Sequence, residues 1–118
     1  MYSPQLLDHF EHPRNAGELA GASVRVRVEN PACGDVLELA LRIADDQVEG
    51  IRFRAKGCVP AMACASALTE MVKGKSLAQA RAITRADVVA AVGRLPEASG
   101  HAAQLAIDAL RTALNRAG

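Results

Sequence analysis

The sequence predicts an α+β fold in which a three-stranded antiparallel sheet packs against helices on one of its faces. Three segments in the first half of the chain alternate apolar and polar residues, as strands with one buried face do. After Gly57 the apolar residues instead follow a helical spacing. Strands followed by helices indicate a two-layer α+β domain, and 118 residues suit a single domain spanning 1–118.

A short helix begins the chain. Ser3 can cap this helix, Pro4 suits its first turn, and the helical segment continues over Gln5–Glu11. Pro13 ends the helix, and residues 14–17 have the composition of a loop.

Three strands follow the loop, and their connections predict a meander. A turn at residues 45–47 is short enough to join the second and third strands as an antiparallel hairpin. Residues 30–35 join the first strand to the second and are also too few for a parallel crossover. The apolar positions of the three strands are Val24, Val26 and Val28; Leu37, Leu39, Leu41 and Ile43; and Ile51, Phe53 and Ala55.

The second half of the chain is helical. Pro60 can open a helix over residues 61–73 that ends at Gly74. Two capping-box patterns, beginning at Ser76 and Thr84, each start a brief helix. A longer amphipathic helix covers His101–Arg116, with its apolar positions at Ala103, Ala106, Ile107, Leu110, Ala113 and Leu114.

The composition excludes several classes of function. A net charge of +1 argues against nucleic acid as a partner. The chain contains no apolar run near the ~20 residues that a membrane-spanning helix needs, so no membrane association is expected. The N-terminal residues do not resemble a secretory signal, which predicts a cytoplasmic protein.

Three cysteines and the predicted topology indicate where chemistry could occur. An odd number of cysteines without a C-x2-C pair argues against a disulfide framework and against a zinc finger. The end of the first strand, the start of the second and the end of the third meet at one end of a meander. We therefore expect Cys33, Asp35 and Cys58 to cluster at that end of the sheet. His101 lies at the start of the last helix.

Two thiolates, one carboxylate and one imidazole make a donor set that suits a tetrahedral metal site. Cys58 lies before a helix N-terminus and near Lys56, a setting that favours the thiolate form. The alternative from composition alone is that the cysteines are incidental buried residues, since free cysteine is often buried.

Several segments, in order along almost the whole chain, resemble the IscU/NifU-type iron–sulfur cluster assembly scaffolds, the NifU N-terminal domain family. The segments that carry this resemblance are Tyr2-Ser3, residues 8–17, residues 31–35, Gly57-Cys58 with the small-residue helix after it, residues 72–77, Leu95-Pro96, and His101 with Leu105, Ala106 and Asp108.

The resemblance implies a three-stranded antiparallel sheet with helices against it, and a function. Such a scaffold receives sulfur from a cysteine desulfurase, collects iron, builds a transient [2Fe–2S] cluster and passes it to apo-proteins. It is not itself an enzyme, because its partners perform the chemistry. By position, Cys33 and Cys58 would be thiolate ligands, Asp35 a labile oxygen ligand and His101 an imidazole ligand.

The chain departs from the family pattern at two places. The third family cysteine directly follows the histidine, and Ala102 occupies that position here. The chaperone-recognition motif is also altered, reading Leu-Pro-Glu-Ala-Ser over residues 95–99, which argues against a specialised chaperone partner. Two further functions therefore stay open: a structural or regulatory Zn2+ site formed by the same residues, and an interaction module without a cluster.

Three smaller features have simpler interpretations. Cys64 lies six residues after Cys58, so it does not share a helix face with that residue, and we expect a small buried thiol. His9 and His12 lie one helical turn apart, and we expect solvated or capping side chains rather than a metal site. The basic stripe formed by Arg25, Arg27, Arg52 and Arg54 either keeps the sheet soluble or docks an acidic partner.

Overall fold

The computed structural model describes residues 2–31 and 34–117 and confirms the α+β fold. A short helix comes first, three strands follow, and helices fill the second half. The elements are α1 (Pro4–Glu11), β1 (Val24–Asn30), β2 (Asp35–Ala44), β3 (Gln47–Lys56), α2 (Val59–Val72), α3 (Leu77–Arg81), α4 (Arg85–Ala91), a 3-10 turn (Glu97–Ser99) and α5 (Gly100–Ala117).

The strands form the antiparallel meander that the short connections predict, in the order β1-β2-β3. Asp45 and Asp46 form the two-residue turn between β2 and β3, and both have positive φ angles, of 53° and 58°. Two successive positive φ angles match the right-handed twist of the paired strands. Aspartate tolerates this conformation better than most non-glycine residues do, so the turn chemistry agrees with the hairpin.

The helices cover one face of the sheet. α5 packs on β1 and β2, α2 packs on β3, and α1 packs on α2. The alternating apolar positions of the strands face these helices, and the resulting core is mostly aliphatic and alanine-rich. Within residues 2–31 and 34–117, every helix is too short or too polar to span a lipid bilayer. The largest fully buried side chains are Leu6, Leu37, Leu39, Leu41, Ile51, Leu68, Ile107, Leu110 and Leu114.

The opposite face of the sheet is partly covered by the connection between α1 and β1. The backbone at Gly17 hydrogen-bonds to the free edge of β3 at Phe53. The connection then passes Gly50, whose missing Cβ would lie 3.4 Å from a methyl carbon of Leu19. Arg42 of β2 donates a hydrogen bond to the Ala20 carbonyl. The connection thus covers the end of this face that lies away from Asp35.

The helix starts follow the capping signals in the sequence. Ser3 caps α1, with its Oγ accepting a hydrogen bond of 3.0 Å from the Leu6 amide. Both expected capping boxes form, one between Ser76 and Gln79 and one between Thr84 and Asp87. These interactions are local, which explains why sequence spacing alone predicts them.

The expectation of solvated or capping histidines is wrong for His9. This side chain is buried, and its Nδ1 lies 2.8 Å from Oγ of Ser66 on α2. The backbone amide of Arg14 donates a hydrogen bond of 2.9 Å to the same hydroxyl. Burial lowers the pKa of His9, with a further contribution from the Arg14 charge. His9 therefore anchors α1 to α2, whereas His12 is exposed.

Candidate metal centre

Three side chains from distant parts of the chain converge at one end of the sheet. Oδ2 of Asp35 lies 3.4 Å from Sγ of Cys58 and 3.5 Å from Nε2 of His101. The Cys58 sulfur lies 4.0 Å from the same imidazole nitrogen. Among the described residues, these three offer an oxygen, a sulfur and a nitrogen within 4.8 Å of one another.

Each side chain is positioned by a different element. Asp35 is the first residue of β2 rather than part of the preceding turn, and its side chain is buried. Cys58 follows the end of β3 and is the N-cap residue of α2. His101 lies in the first turn of α5, which packs on β1 and β2. The antiparallel pairing of β2 with β3 places the start of one strand beside the end of the other, as the topology argument predicts.

Gly57 allows the Asp35 carboxylate to approach the backbone beside Cys58. A Cβ at Gly57 would lie 2.3 Å from Oδ1 of Asp35, which is much closer than carbon and oxygen atoms can approach. The same Oδ1 accepts a hydrogen bond of 3.3 Å from the Cys58 amide. The sequence suggests only that a glycine beside a cysteine allows close approach. The tertiary structure identifies the group that approaches.

The electrostatics at Cys58 differ from the sequence-based expectation. Burial raises the pKa of the Cys58 thiol, and the Asp35 carboxylate beside it raises the pKa further. The Ala61 amide in the first turn of α2 acts in the opposite direction, as a helix N-terminus should, but it is outweighed. The expectation of a favoured thiolate is therefore wrong. Metal binding would have to displace the thiol proton.

Three further positions bear on this site: Cys33, which completes the predicted ligand set, and Ala102 and Cys64, which are not part of it. Cys33 lies outside the described residues, as does Ala32. Ala102, at the position of the third family cysteine, is only 1% exposed and belongs to the hydrophobic core. Cys64 is buried as expected, and burial raises the pKa of its thiol to about 12.

The three donor atoms have the spacing of ligands around a single ion. Bonds of 2.0–2.3 Å at tetrahedral angles place two ligand atoms about 3.3–3.8 Å apart. The three separations at this site, 3.4, 3.5 and 4.0 Å, are close to that range. Cys58 and His101 are partly exposed and Asp35 is buried behind them. The site could therefore accept an ion from solvent and still leave one position for a fourth ligand.

Comparison with known proteins establishes the family. The profile described as "NifU-like N terminal domain" matches residues 1–116. The chain belongs to this family. The resemblance carried by the sequence motifs is thereby confirmed, and the candidate centre lies in a NifU-like domain.

Similar proteins extend over nearly the whole NifU-like domain. Iron-sulfur cluster assembly scaffold protein IscU 1 of Archaeoglobus fulgidus is 43% identical over 114 residues, which cover 97% of this chain and 74% of that protein. The Escherichia coli scaffold protein IscU is 40% identical over 117 residues, covering 96% and 91% of the two chains. A crystal structure of a nitrogen-fixing NifU-like protein (N-terminal) from Brucella abortus superimposes with a TM-score of 0.79 over 97% of this chain and 92% of that one, at 17% identity, and shows the shared fold.

Proposed function

We propose that this protein is an iron–sulfur cluster assembly scaffold that receives sulfur from a cysteine desulfurase and takes up iron. It holds a transient [2Fe–2S] cluster and transfers it to apo-proteins. The protein acts as a carrier rather than as an enzyme. The observation that carries the proposal is the convergence of Asp35, Cys58 and His101 in a chain about 40% identical to proteins named as such scaffolds.

Four residues would hold the cluster in this proposal: Cys33, Asp35, Cys58 and His101. The three described members differ in hardness, which suits a cargo that must be released. The thiolate of Cys58 and the imidazole of His101 bind cluster iron firmly, whereas the Asp35 carboxylate is a harder and more exchangeable ligand. The partial exposure of Cys58 and His101 supports access by partners, because a donor or recipient can reach the cluster from that side.

Alanine at position 102 removes one thiol that could accept sulfur. With alanine at this position, the two thiols left in the proposed ligand set are Cys33 and Cys58. Cys64 is fully buried with a raised pKa, so it is a poor sulfur acceptor. In this proposal, sulfur from the desulfurase is therefore accepted at Cys33 or Cys58.

Anaerobic reconstitution tests the proposal directly. The protein is incubated with ferrous iron, cysteine, a reductant and a catalytic amount of a cysteine desulfurase, and visible absorption and circular dichroism are recorded. We expect the spectrum of a [2Fe–2S] cluster, which should be lost in Cys58→Ala and in His101→Ala. Failure of the unaltered protein to form any cluster under these conditions would contradict the proposal.

A second candidate function is a structural or regulatory Zn2+ site. The donor separations favour it because all three are close to those expected around one tetrahedral ion. Elemental analysis of the purified protein distinguishes the two candidates. Stoichiometric zinc together with failed cluster reconstitution would indicate the zinc function. The absence of both metals after loading attempts would leave an interaction module without a cluster.

A further inference from the structure

A second concave site lies on the face of the sheet opposite α2 and α5. We call it the open-face groove. It has a volume of about 250 Å³. Ala40 on β2 lies in the middle of this groove, paired in register with Arg25 on β1 and with Arg52 on β3. The residues that line the groove are Gly17, Glu18, Arg25, Val26, Glu38, Leu39, Ala40, Arg52 and Arg54.

Two guanidinium groups in the groove are held in place without being neutralised. Arg25 donates a hydrogen bond of 3.0 Å to the Leu19 carbonyl, and Arg52 donates one of 3.3 Å to the Ala16 carbonyl. Within residues 2–31 and 34–117, neither forms an ion pair with a carboxylate.

Other arginines of the sheet behave differently. Arg54 pairs with Glu18 at 2.9 Å, Arg42 pairs with Glu49 at 2.8 Å, and Arg27 pairs with Glu29. Arg25 and Arg52 are thus distinguished from their neighbours by a net positive charge without a carboxylate partner. Each uses one donor on a backbone carbonyl and keeps further N–H groups for a ligand.

The spacing of Arg25 and Arg52 suits discrete carboxylates. Their Cα atoms lie on the two outer strands, about 10 Å apart across β2 at the usual strand spacing. In a peptide with the polyproline II conformation, side chains three residues apart point to the same side and are separated by a similar distance, about 9 Å. The carbonyl anchors also reduce the side-chain entropy lost when a carboxylate binds, because the guanidinium groups are already positioned.

We propose that the open-face groove docks an acidic segment of a partner protein, with Arg25 and Arg52 each binding a side-chain carboxylate. Charge complementarity favours this occupant over nucleic acid. Glu38 lines the same groove, and among the described residues it forms no ion pair, so it would repel a continuous phosphate backbone. Separate carboxylates can instead meet the two arginines and avoid this glutamate.

The open-face groove and the candidate metal centre lie on opposite faces of the sheet. Asp35 shares the helix-covered face with Leu37 and Leu39, whereas Ala40 belongs to the alternate set of residues on β2. A partner bound in the groove would leave Cys58 and His101 accessible. The groove therefore provides a docking surface that is compatible with a loaded centre.

Fluorescence anisotropy tests the proposal with a synthetic peptide. The probe is a fluorescein-labelled 13-residue peptide with glutamate at every third position in a serine and threonine background. The comparison ligands are the same peptide with glutamine replacing glutamate, and a single-stranded oligothymidylate of equal negative charge. We expect the glutamate peptide to bind, more weakly as salt increases, and both comparison ligands to bind at least about fivefold more weakly.

Two double variants have matched charge changes. Arg25→Gln/Arg52→Gln should weaken peptide binding at least about fivefold, the equivalent of roughly 1 kcal/mol from two exposed charge pairs. Lys73→Gln/Arg94→Gln removes two exposed charges outside the groove and should leave binding within about twofold. Arg25→Lys/Arg52→Lys should retain part of the affinity. Circular dichroism and urea unfolding establish that each variant is folded.

Three results would each overturn the docking proposal: equal peptide affinity in Arg25→Gln/Arg52→Gln and in the unaltered protein, equal binding of the glutamine peptide, or tighter binding of the oligothymidylate. Zinc affinity and cluster reconstitution should be unchanged in Arg25→Gln/Arg52→Gln. A failure of the docking proposal can therefore be distinguished from a failure of the proposed function.

Discussion

The Cys58 amide donates a hydrogen bond of 3.3 Å to one carboxylate oxygen of Asp35, while the Cys58 sulfur lies 3.4 Å from the other oxygen. The carboxylate is therefore oriented by the backbone of the residue whose side chain it contacts. This arrangement joins the start of β2 to the start of α2 and presents one oxygen to the candidate centre.

Gly57→Ala should disrupt this arrangement. The added methyl group would lie 2.3 Å from Oδ1 of Asp35, so the carboxylate must move away from the Cys58 amide. We expect Zn2+ affinity, measured by competition with a chromogenic chelator, to fall at least about tenfold, as is typical when a group that orients a ligand is lost. Gly74→Ala is the matched control, because Gly74 also has a positive φ angle but nothing lies within 4 Å of its added Cβ. Equal zinc affinities in the two variants would contradict the role of Gly57.

Asp35→Ala should lengthen the lifetime of any [2Fe–2S] cluster that forms. The carboxylate is the hard, exchangeable member of the ligand set, so its removal should close the easiest route for release. Decay of the visible absorption in the presence of EDTA measures the lifetime, and we expect an increase of severalfold. Asp108→Ala, an exposed carboxylate on the same helix as His101, should leave the lifetime unchanged. Complete failure of Asp35→Ala to assemble a cluster would show that the proposed role of this carboxylate is mistaken.

Cys64→Ala should retain its metal. The Cys64 side chain is fully buried, and the pKa of its thiol is raised to about 12, so it is protonated and inaccessible at neutral pH. Bound zinc or iron, measured by elemental analysis, should match the unaltered protein. Cys58→Ala should lose most of the metal under the same conditions. A comparable loss in Cys64→Ala would show that this thiol contributes to the site.

Stability should decrease as the pH falls below the ordinary histidine pKa, because of His9. Burial lowers the pKa of His9 in the folded state; the Arg14 charge lowers it further, and Glu70 and Asp8 oppose these effects. Below about pH 6.5 the unfolded chain therefore binds a proton more readily than the folded one. The free energy of unfolding then decreases until the pH passes the folded-state pKa.

Urea unfolding at pH 7.5 and pH 5.5 measures this effect. His9→Gln should lose less stability between the two pH values than the unaltered protein does. His12→Gln serves as the control, since His12 is exposed. If the pH dependence instead survives in His9→Gln and disappears in His12→Gln, the effect comes from His12 and the prediction for His9 is wrong.

Ser3→Ala should destabilise the protein by about 1–2 kcal/mol. The Ser3 hydroxyl caps α1 by accepting from the Leu6 amide, and it also donates to the Val92 carbonyl after α4. Both hydrogen bonds are buried, so the substitution leaves buried polar groups without a partner. Thr84→Ala removes an exposed cap and should cost about 1 kcal/mol or less. Equal losses of unfolding free energy in the two variants, measured by urea unfolding, would show that the hydrogen bond to Val92 adds no stability.

Much of the architecture was predictable because it depends on near neighbours in the chain. Alternation of apolar residues identifies three strands, and the short turn predicted at residues 45–47 makes two of them a hairpin, although Gln47 already belongs to β3. The serine and threonine caps marked where helices begin. The end of the sheet at which Asp35 and Cys58 meet then followed from antiparallel topology.

Other features depend on groups that meet only through folding. The buried contact of His9 cannot be seen in the sequence, because its hydrogen-bond partner Ser66 is 57 residues away. The sequence neighbours of Cys58 favour the thiolate, but burial and the Asp35 carboxylate outweigh them and raise the pKa of the thiol. Periodicity also gave no indication that the connection around Leu19 would cross the open face of the sheet.

Local hydrogen bonds and side-chain alternation are complete within short segments of the chain. They are therefore enough to specify the strands, the helix starts and the order of the meander. Burial, the pKa of Cys58, the closeness of Gly57 to Asp35 and the unneutralised charges of Arg25 and Arg52 were set by packing. The physical reason is that desolvation and Coulomb interactions act through space, between residues whose separation along the chain gives no measure of their distance in the folded protein.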